Sequence, residues 1–392
     1  SRQPTTNMKQ LSLLLLALFF CRQPAFSQPK NVAILQVPGA AEYCKIDRSG
    51  VSVLPSGRYV SPAGKAIPIS RAPYGLTVSG DNDRVLVLHN GVVTNIDLRF
   101  PDRAVRIPSY DKKIPAVLEG SSFLGAAFLP DGKLAWLSGG GTGNVVLFDA
   151  ENNRKVLEIS LNGEFPLQGA GGGGRKFEDS FTSDLAFDAK RNHLLVLDRG
   201  NNRLVKVDLA THKIIASIGV GRIPFGIAVS PDGSTAFVAN VGLFEYPLVP
   251  GVTPENGGKM LLEFPAYGYP SKEAEQGTTY PDGRKIPGLG SPLAPEAMSV
   301  WTVDLEKNQV TGKFKTGYQI GDLLGEEEEE VVGGAHPNSV AVGSRFAYIS
   351  NSQNDLISVL DYKKGKVVKE IPLKFHPKLD PFRGLMTFGV AL

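Results

Sequence analysis

The stretch Pro224 to Asn240, PFGIAVSPDGSTAFVAN, decides the fold. Its two apolar segments, Gly226 to Val229 and Thr235 to Ala239, contain the β-branched, aromatic and small residues that suit a buried strand. The Ser-Pro-Asp-Gly sequence between them, 230–233, has the composition of a tight turn, since proline presets φ, aspartate bonds its own backbone and glycine accepts positive φ. The stretch therefore predicts a β-hairpin, and weaker copies of it recur along the chain.

The most complete copy of the repeat runs from Asp184 to Gly221 and contains four predicted strands. An aspartate closes the third strand of this unit, and the same marker recurs in five units, at Asp97, Asp149, Asp208, Asp304 and Asp361. A β-sandwich would also give many short strands, but not a marker at the same place in each unit. The pattern predicts an all-β fold, a β-propeller of four-stranded blades.

The ends of the chain match only parts of a unit. Residues 59–69 match its third and fourth strands, and Phe388 to Leu392 match the opening segment Phe225 to Val229. A propeller closes its ring so that no sheet edge stays exposed. We therefore expect five complete blades here, with partial blades at both ends, as in a fragment of a longer protein.

The N-terminal segment 1–27 is predicted to be a secretory signal peptide with a few upstream residues. A basic start at Met8-Lys9 precedes an apolar run, Leu11 to Phe20, and small residues at Ala25 and Ser27 suit a cleavage site after Ser27. The apolar run is too short to span a bilayer. We expect a secreted or periplasmic chain with no transmembrane segment, whose propeller occupies residues 28–392.

The net charge and the cysteine content argue against several classes of partner and of structural site. The net charge is +3, from 42 basic and 39 acidic residues, which is too balanced to indicate a nucleic acid or an anionic lipid as partner. Cys44 is the one cysteine after the predicted cleavage site, so no internal disulfide framework or cysteine-rich metal site is expected.

The long connections are predicted to lie on one face of the disc. They are 109–123, 162–183, 318–337 and 373–387, each before a first strand, together with the insertion 241–299 between a second and a third strand. Functional residues concentrate on long loops of a rigid scaffold, so this face is the predicted binding face. The insertion is rich in proline and aromatic residues, which suits a lid, a docking surface for another domain, or a decoration on the disc edge.

Several segments resemble the YVTN-type propeller repeats of bacterial proteins, above all the propeller half of exported proteins that continue into an alkaline-phosphatase-superfamily domain. The matching segments cover most of the chain after residue 41: LPSGRYVSPAG (54–64), PFGIAVSPDG (224–233), ENGGK (255–259), HPNSVAV (336–342), AYISNSQNDLISVLD (347–361) and FGVAL (388–392). The resemblance implies seven blades in the full protein and a phosphoesterase domain beyond Leu392. No residue here matches that domain's catalytic motifs.

Residues at the start of the first strands and in the turns after the second strands should lie near the propeller's central funnel. The candidates for contact with a ligand are Tyr74, Asp184, Arg199, Asn202, Phe225, Asn240, His336, Asn338 and Asn354. The structural alternative is that the asparagines hold turns with positive φ, and that Tyr74 and Phe225 pack between blades.

No catalytic constellation is recognisable. The glycine run 169–174 lacks the ending of a phosphate-binding loop, the acidic run 326–330 with Asp322 lacks a calcium-loop pattern, and the five histidines lack zinc-ligand spacing. We therefore expect no catalytic residue, metal or cofactor in this chain, but an exported binding module whose partner is a C-terminal phosphoesterase domain or another exported protein.

The alternative is a self-contained propeller hydrolase, lactonase- or phytase-like, with a divalent metal such as Ca²⁺ in the funnel. Its ligands would come from Asp184, Asn240, Asn338 and Asn354. Whether the chain is an enzyme is left open between these two hypotheses.

Overall fold

The computed structural model describes residues 36–47, 50–61, 64, 66–165, 175–253, 255–260, 271–324, 329–374 and 385–392. The predicted signal peptide lies outside these ranges. The chain divides into two compact units, residues 1–66 and 67–392. The described part of the first unit contains a short hairpin of β1 (Ser52–Val53) and β2 (Tyr59–Val60).

The second unit begins with two four-stranded antiparallel sheets, each with its strands in chain order. Sheet 1 consists of β3 (Pro73–Val78), β4 (Arg84–His89), β5 (Val92–Asp97) and β6 (Val105–Ile107), with a 3-10 helix at Pro101–Arg103. Sheet 2 consists of β7 (Ala126–Phe128), β8 (Leu134–Ser138), β9 (Asn144–Asp149) and β10 (Arg154–Ser160). The connection that follows contains a hairpin of β11 (Gly163–Phe165) and β12 (Arg175–Phe177).

Sheets 3 and 4 have the same architecture. Sheet 3 consists of β13 (Thr182–Asp188), β14 (His193–Asp198), β15 (Arg203–Asp208) and β16 (Lys213–Gly219). Sheet 4 starts with β17 (Pro224–Val229) and β18 (Thr235–Asn240). After the long insertion, which contains a 3-10 helix (Gly257–Lys259), an α-helix (Lys272–Gln276), β19 (Gly277–Thr279) and β20 (Lys285–Pro287), it continues with β21 (Ser299–Asp304) and β22 (Gln309–Lys315).

Sheet 5 completes the set of four-stranded sheets in the described residues. A short pair, β23 (Leu323–Leu324) and β24 (Glu329–Glu330), lies in the connection before it. The sheet consists of β25 (Pro337–Val342), β26 (Phe346–Asn351), β27 (Leu356–Asp361) and β28 (Lys366–Pro372).

The predicted hairpin of residues 224–240 is formed by β17 and β18. The Gly233 amide donates to the Ser230 carbonyl at 2.8 Å, and Gly233 has φ +67°, a conformation that favours glycine. The Asp232 carboxylate accepts from the Ser230 hydroxyl at 2.6 Å and from the Ser234 amide at 3.0 Å. The turn therefore forms for the reasons its composition indicates.

The marker aspartates all close a third strand, at the ends of β5, β9, β15, β21 and β27. In each of them a carboxylate oxygen accepts a hydrogen bond from a backbone N–H of the following turn. The Ala210 N–H donates to Asp208 at 2.9 Å, for example, and the Glu306 N–H donates to Asp304 at 2.9 Å. Aspartate recurs here because its side chain replaces the hydrogen bonds that the strand loses where it ends.

The sheets follow one another around an inner ring of first strands, β3, β7, β13, β17 and β25, which contact one another in that order. Glycine allows two of these close approaches. A Cβ at Gly75 would lie 1.9 Å from the carbonyl oxygen of Leu124, just before sheet 2, and one at Gly226 would lie 2.2 Å from that of Asn338 in sheet 5. Four-stranded sheets arranged radially in chain order are the blades of a β-propeller. The predicted fold is confirmed, and the blade number of the full protein stays a prediction.

The hydrophobic core lies between successive sheets rather than in one central mass. Leu86 and Leu88 of sheet 1 pack with Leu137 of sheet 2, and Phe237 of sheet 4 packs with Ile349 of sheet 5. This is why the strands are buried on both faces and contain nearly continuous apolar runs.

Polar side chains also join neighbouring sheets. Asn95 of β5 donates to the Ala150 carbonyl after β9 at 2.7 Å. Lys206 of β15 donates to the Leu305 carbonyl after β21 at 2.7 Å. Both donors are buried third-strand residues, and they satisfy carbonyl groups of the next sheet.

Candidate functional site

The long connections between strands lie at one end of the disc. Because the strands of each sheet are antiparallel and in chain order, the start of the first strand, the end of the second, the start of the third and the end of the fourth lie at the same end. The connections before β7, β13 and β25 and the insertion 241–298 all leave from this end, which we call the mouth. Asn240 of β18 pairs directly with Ser299 of β21, so the insertion leaves and rejoins sheet 4 at the mouth.

Six rings meet at the mouth, five from or just before the starts of the inner strands and one from the segment 385–392. We call them the mouth cluster: Tyr74, Phe123, Phe181, Phe225, His336 and Phe388. Phe123 is at its centre, with ring-centroid distances of 5.4 Å to Phe181, 5.5 Å to Phe225 and 6.0 Å to Tyr74. Phe225 extends the cluster to His336 at 6.4 Å and Phe388 at 6.1 Å. Phe123 meets Phe181 and Phe225 edge to face, the arrangement that aromatic quadrupoles favour.

The chain turns sharply as it approaches the mouth in several repeats. Ala72, Ile223 and His336 each precede a proline that starts an inner strand, and all three have positive φ, between 50° and 56°. Met386, two residues before Phe388, also has φ 50°. Side chains other than glycine adopt this conformation at a cost of about 1 kcal/mol or more each, and such strain concentrates at functional sites.

Arg199 lies against the mouth cluster. It follows β14, and its amide donates to the Phe181 carbonyl at 2.9 Å. Its guanidinium carbon lies 4.9 Å from the centroid of Phe181 and 5.3 Å from that of Phe123, so the cation contacts both rings. Within the part of the chain that the structure describes, no acceptor or carboxylate bonds this guanidinium. Burial lowers its pKa, as expected for a cation removed from water without a counter-ion.

His336 is the second polar member of the site. Its Nδ1 lies 2.9 Å from the Ser352 hydroxyl, and the Ser352 amide donates to the His336 carbonyl at 3.2 Å. Burial lowers the pKa of the imidazole below its usual range, which favours the neutral ring at pH 7. The cation in contact with the rings of the site is therefore Arg199.

Asp184 and Asn202 have structural partners. The Asp184 carboxylate accepts from the amides of Leu185 at 2.9 Å and Ile227 at 3.0 Å, which links the inner strands of sheets 3 and 4. Burial raises its pKa to about 6. Asn202, at φ 50°, accepts from the Ile223 amide at 2.8 Å, so it holds a left-handed turn as the structural alternative expected.

Asn240, Asn338 and Asn354 are buried in sheets or turns. Asn240 donates to the Ser299 carbonyl at 3.1 Å, and Asn338 accepts from the Ser350 hydroxyl at 2.7 Å. Asn354 donates to the Gly334 carbonyl at 3.0 Å and accepts from the Tyr318 amide at 2.7 Å. These three asparagines hold the insertion boundary, sheet 5 and the connection 318–337 in place.

This donor set does not fit a calcium site. Ca²⁺ requires six to eight oxygen ligands directed at one centre. The oxygens of Asp184, Asn338 and Asn354 are engaged by donors from three different parts of the fold. The described residues contain no group of three or more His, Cys, Asp or Glu side chains placed to bind a metal ion.

The structure thus joins four of the nine predicted residues in one site, Tyr74, Arg199, Phe225 and His336. Sequence reasoning missed Phe123 and Phe181, which lie at the ends of long irregular connections. Register alone would not have found Phe123, because Ala126 pairs with Leu137 as Ile227 pairs with Val238, which places Leu124 in the position of Phe225 and Phe123 in that of Pro224.

Two other predicted features fall partly or wholly outside the described residues. The glycine run 169–174 lies outside them, and so does most of the acidic run 326–330. Asp322 is described, and its carboxylate accepts from the Gln319 amide at 2.7 Å in its own turn. No helix in the described ranges has the length and apolarity needed to cross a membrane.

Comparisons with known proteins give distant structural similarity only. No protein-family model matches the chain, and no curated protein sequence matches it. Among solved structures, virginiamycin B lyase from Staphylococcus aureus is similar with a TM-score of 0.47 and 12% identity, over 83% of this chain and 78% of the lyase. Hydrazine synthase from Kuenenia stuttgartiensis is similar with a TM-score of 0.43 and 13% identity, over 84% of this chain and 92% of that one.

Proposed function

We propose that this chain is an exported β-propeller binding module that engages its ligand or partner through the mouth. The observation that carries the proposal is the mouth cluster: rings from the starts of successive inner strands meet around a half-buried arginine. A rigid ring of strands presenting aromatic and cationic side chains at one end is suited to recognition.

The chemistry of the mouth suits binding rather than catalysis. Arg199 contacts aromatic rings, and His336 bonds a serine hydroxyl rather than a carboxylate that would orient it as a base. The Asp184 carboxylate is engaged by two backbone amides. We therefore propose that the module scaffolds a phosphoesterase-type protein whose catalytic domain lies beyond Leu392, as the sequence resemblance implies.

Two measurements test this proposal. The coding sequence downstream of the Leu392 codon should continue into further propeller strands and then a domain with phosphoesterase metal-ligand motifs. The chain itself, secreted and purified, should not hydrolyse p-nitrophenyl phosphate or bis-p-nitrophenyl phosphate with Mg²⁺, Mn²⁺, Ca²⁺ or Zn²⁺. A stop codon soon after residue 392 would contradict the scaffold role, and metal-dependent turnover would contradict the non-catalytic role.

A self-contained propeller hydrolase with Ca²⁺ in the funnel is the competing function. Three of its proposed ligands, Asp184, Asn338 and Asn354, already use a side-chain oxygen in a structural hydrogen bond, which weighs against it. The buried Oδ1 of the fourth, Asn240, has no partner among the described residues. Calorimetric titration with CaCl₂ decides the matter: stoichiometric binding abolished in Asp184→Asn would favour the hydrolase.

A further inference from the structure

We infer that the mouth cluster binds a monoanionic ligand with a flat apolar body, an aromatic carboxylate, whose carboxylate pairs with Arg199 and whose ring packs against Phe123, Phe181 and Phe225. The inference rests on the proposed binding function and specifies its ligand class.

A neighbouring arginine shows how a purely structural cation is held in this fold. Arg203, four residues along the chain, also stacks on an aromatic ring, with its guanidinium carbon 3.5 Å from the Phe177 centroid. It is paired as well: Nε donates to Asp198 at 2.8 Å and Nη2 donates to the Leu161 carbonyl at 2.7 Å. Arg222, the other deeply buried arginine near the mouth, donates to two carbonyls and to Glu245.

The Arg199 guanidinium stacks on aromatic rings in the same way, but within the described part of the chain it is not paired with a carboxylate or a carbonyl. Two phenyl rings contact its guanidinium, and no acceptor bonds it among the described residues. A half-buried cation is less hydrated than a fully exposed one, so an anion that pairs with it is bound more strongly than at an exposed arginine. An anion from outside the chain supplies this pairing, and the planar guanidinium fork matches a carboxylate with two parallel hydrogen bonds.

The surroundings define the rest of the ligand. Phe123, Phe181 and Phe225 are only partly buried, and Tyr74 is 46% exposed, so the rings form accessible walls rather than a sealed core. Aromatic walls with centroids 5.4–5.5 Å apart favour a flat apolar body that packs against their faces and edges. Arg199 is the cation in contact with the rings, and its single guanidinium fork pairs with one carboxylate.

The test uses the full secreted chain and three probes: naphthalene-2-carboxylate, its uncharged carboxamide, and inorganic phosphate. Affinities are measured by calorimetry at low ionic strength, because exposed ion pairs are screened by salt. In the parent protein, the carboxylate should bind about tenfold or more tightly than the carboxamide, the usual gain for a charge-assisted pair. Inorganic phosphate should bind more weakly than the carboxylate.

Arg199→Gln should remove the preference for the carboxylate, leaving both naphthalene compounds with similar affinity, while Arg199→Lys should retain part of it. Arg103→Gln is the matched control, because Arg103 is an exposed arginine 5.4 Å from the Phe100 ring outside the mouth, and it should leave all affinities unchanged. Thermal unfolding of each variant verifies that it is folded.

The inference is overturned if the carboxylate and carboxamide bind the parent equally, if Arg199→Gln keeps the preference, if phosphate binds most tightly, or if no probe shows saturable binding. None of these outcomes bears on the downstream coding sequence or on the hydrolysis assay. Failure of the ligand class is therefore distinguishable from failure of the proposed scaffold role.

Discussion

The Asp184 carboxyl is partly buried between two inner strands, and no cation pairs with it among the described residues. Two backbone amides stabilise its charge, but burial outweighs them and raises its pKa to about 6. In the unfolded chain the pKa of an aspartate is about 3.9. Between these pH values the native protein binds more protons than the unfolded chain, so the free energy of unfolding falls as the pH rises from 4 to 6.

Asp184→Asn should remove this pH dependence, because the amide keeps an acceptor for the Ile227 amide and carries no charge. The variant should gain stability relative to the parent as the pH rises from 4 to 7, by up to about 2–3 kcal/mol. Urea denaturation at pH 4, 5, 6 and 7 measures the difference. Asp83→Asn, on a half-exposed surface aspartate, is the control. A parent–variant difference that stays constant over this range would contradict the assignment.

At the scale of elements, Arg222 is one of the side chains that fasten the insertion 241–298 to the disc, together with Lys315 and Trp301, which donate to the carbonyls of Ala297 and Pro295. Arg222, just before β17, donates through Nη1 to the carbonyls of Leu243 and Ser291, both at 2.8 Å, and through Nη2 to Glu245 at 2.9 Å. These contacts hold both ends of the insertion at the mouth. A long insertion whose contacts with the disc are weakened opens locally before the whole protein unfolds.

Arg222→Gln should loosen the insertion without unfolding the propeller. Chymotrypsin under native conditions should then cleave near Phe244 and Tyr246 about tenfold or more faster than in the parent, which corresponds to about 1.4 kcal/mol of local stability. The products are identified by mass spectrometry. Arg284→Gln controls for arginine loss within the insertion, because Arg284 pairs with Asp282 two residues away. Equal cleavage rates in the two variants would show that the Arg222 contacts do not limit the local opening of the insertion.

The elements were predictable from sequence where short-range chemistry determines them. The Ser-Pro-Asp-Gly turn at 230–233 and the aspartates that close third strands form within a few residues, so their patterns are local. The mouth cluster is different, since Phe123 contacts Phe225, which is 102 positions away, only because the inner strands curve around a ring. Repeat register indicates which residues enter the strands, but not that Arg199 lies against Phe123 and Phe181.

At the scale of the whole molecule, the disc depends on contacts from each sheet to the next. The apolar cores lie in the interfaces, and polar side chains such as Asn95 and Lys206 join them near the end opposite the mouth. Because each sheet contacts mainly its neighbours, the loss of one such inter-sheet hydrogen bond weakens an interface that two blades share.

Asn95→Leu tests how much the side-chain hydrogen bonds of one inter-sheet contact contribute to the free energy of unfolding. Asn95 donates to the Ala150 carbonyl at 2.7 Å and to the Asn153 side-chain oxygen at 2.8 Å. Leucine has a similar volume and leaves the Asn153 oxygen without its donor, while Arg84 still reaches the Ala150 carbonyl at 3.0 Å. We therefore expect a loss of about 1–2 kcal/mol in the free energy of unfolding by urea. Asn90→Leu, at an exposed position, should change it by less than about 0.5 kcal/mol. If the two variants unfold at the same urea concentration, the stability of the disc lies in its apolar interfaces alone.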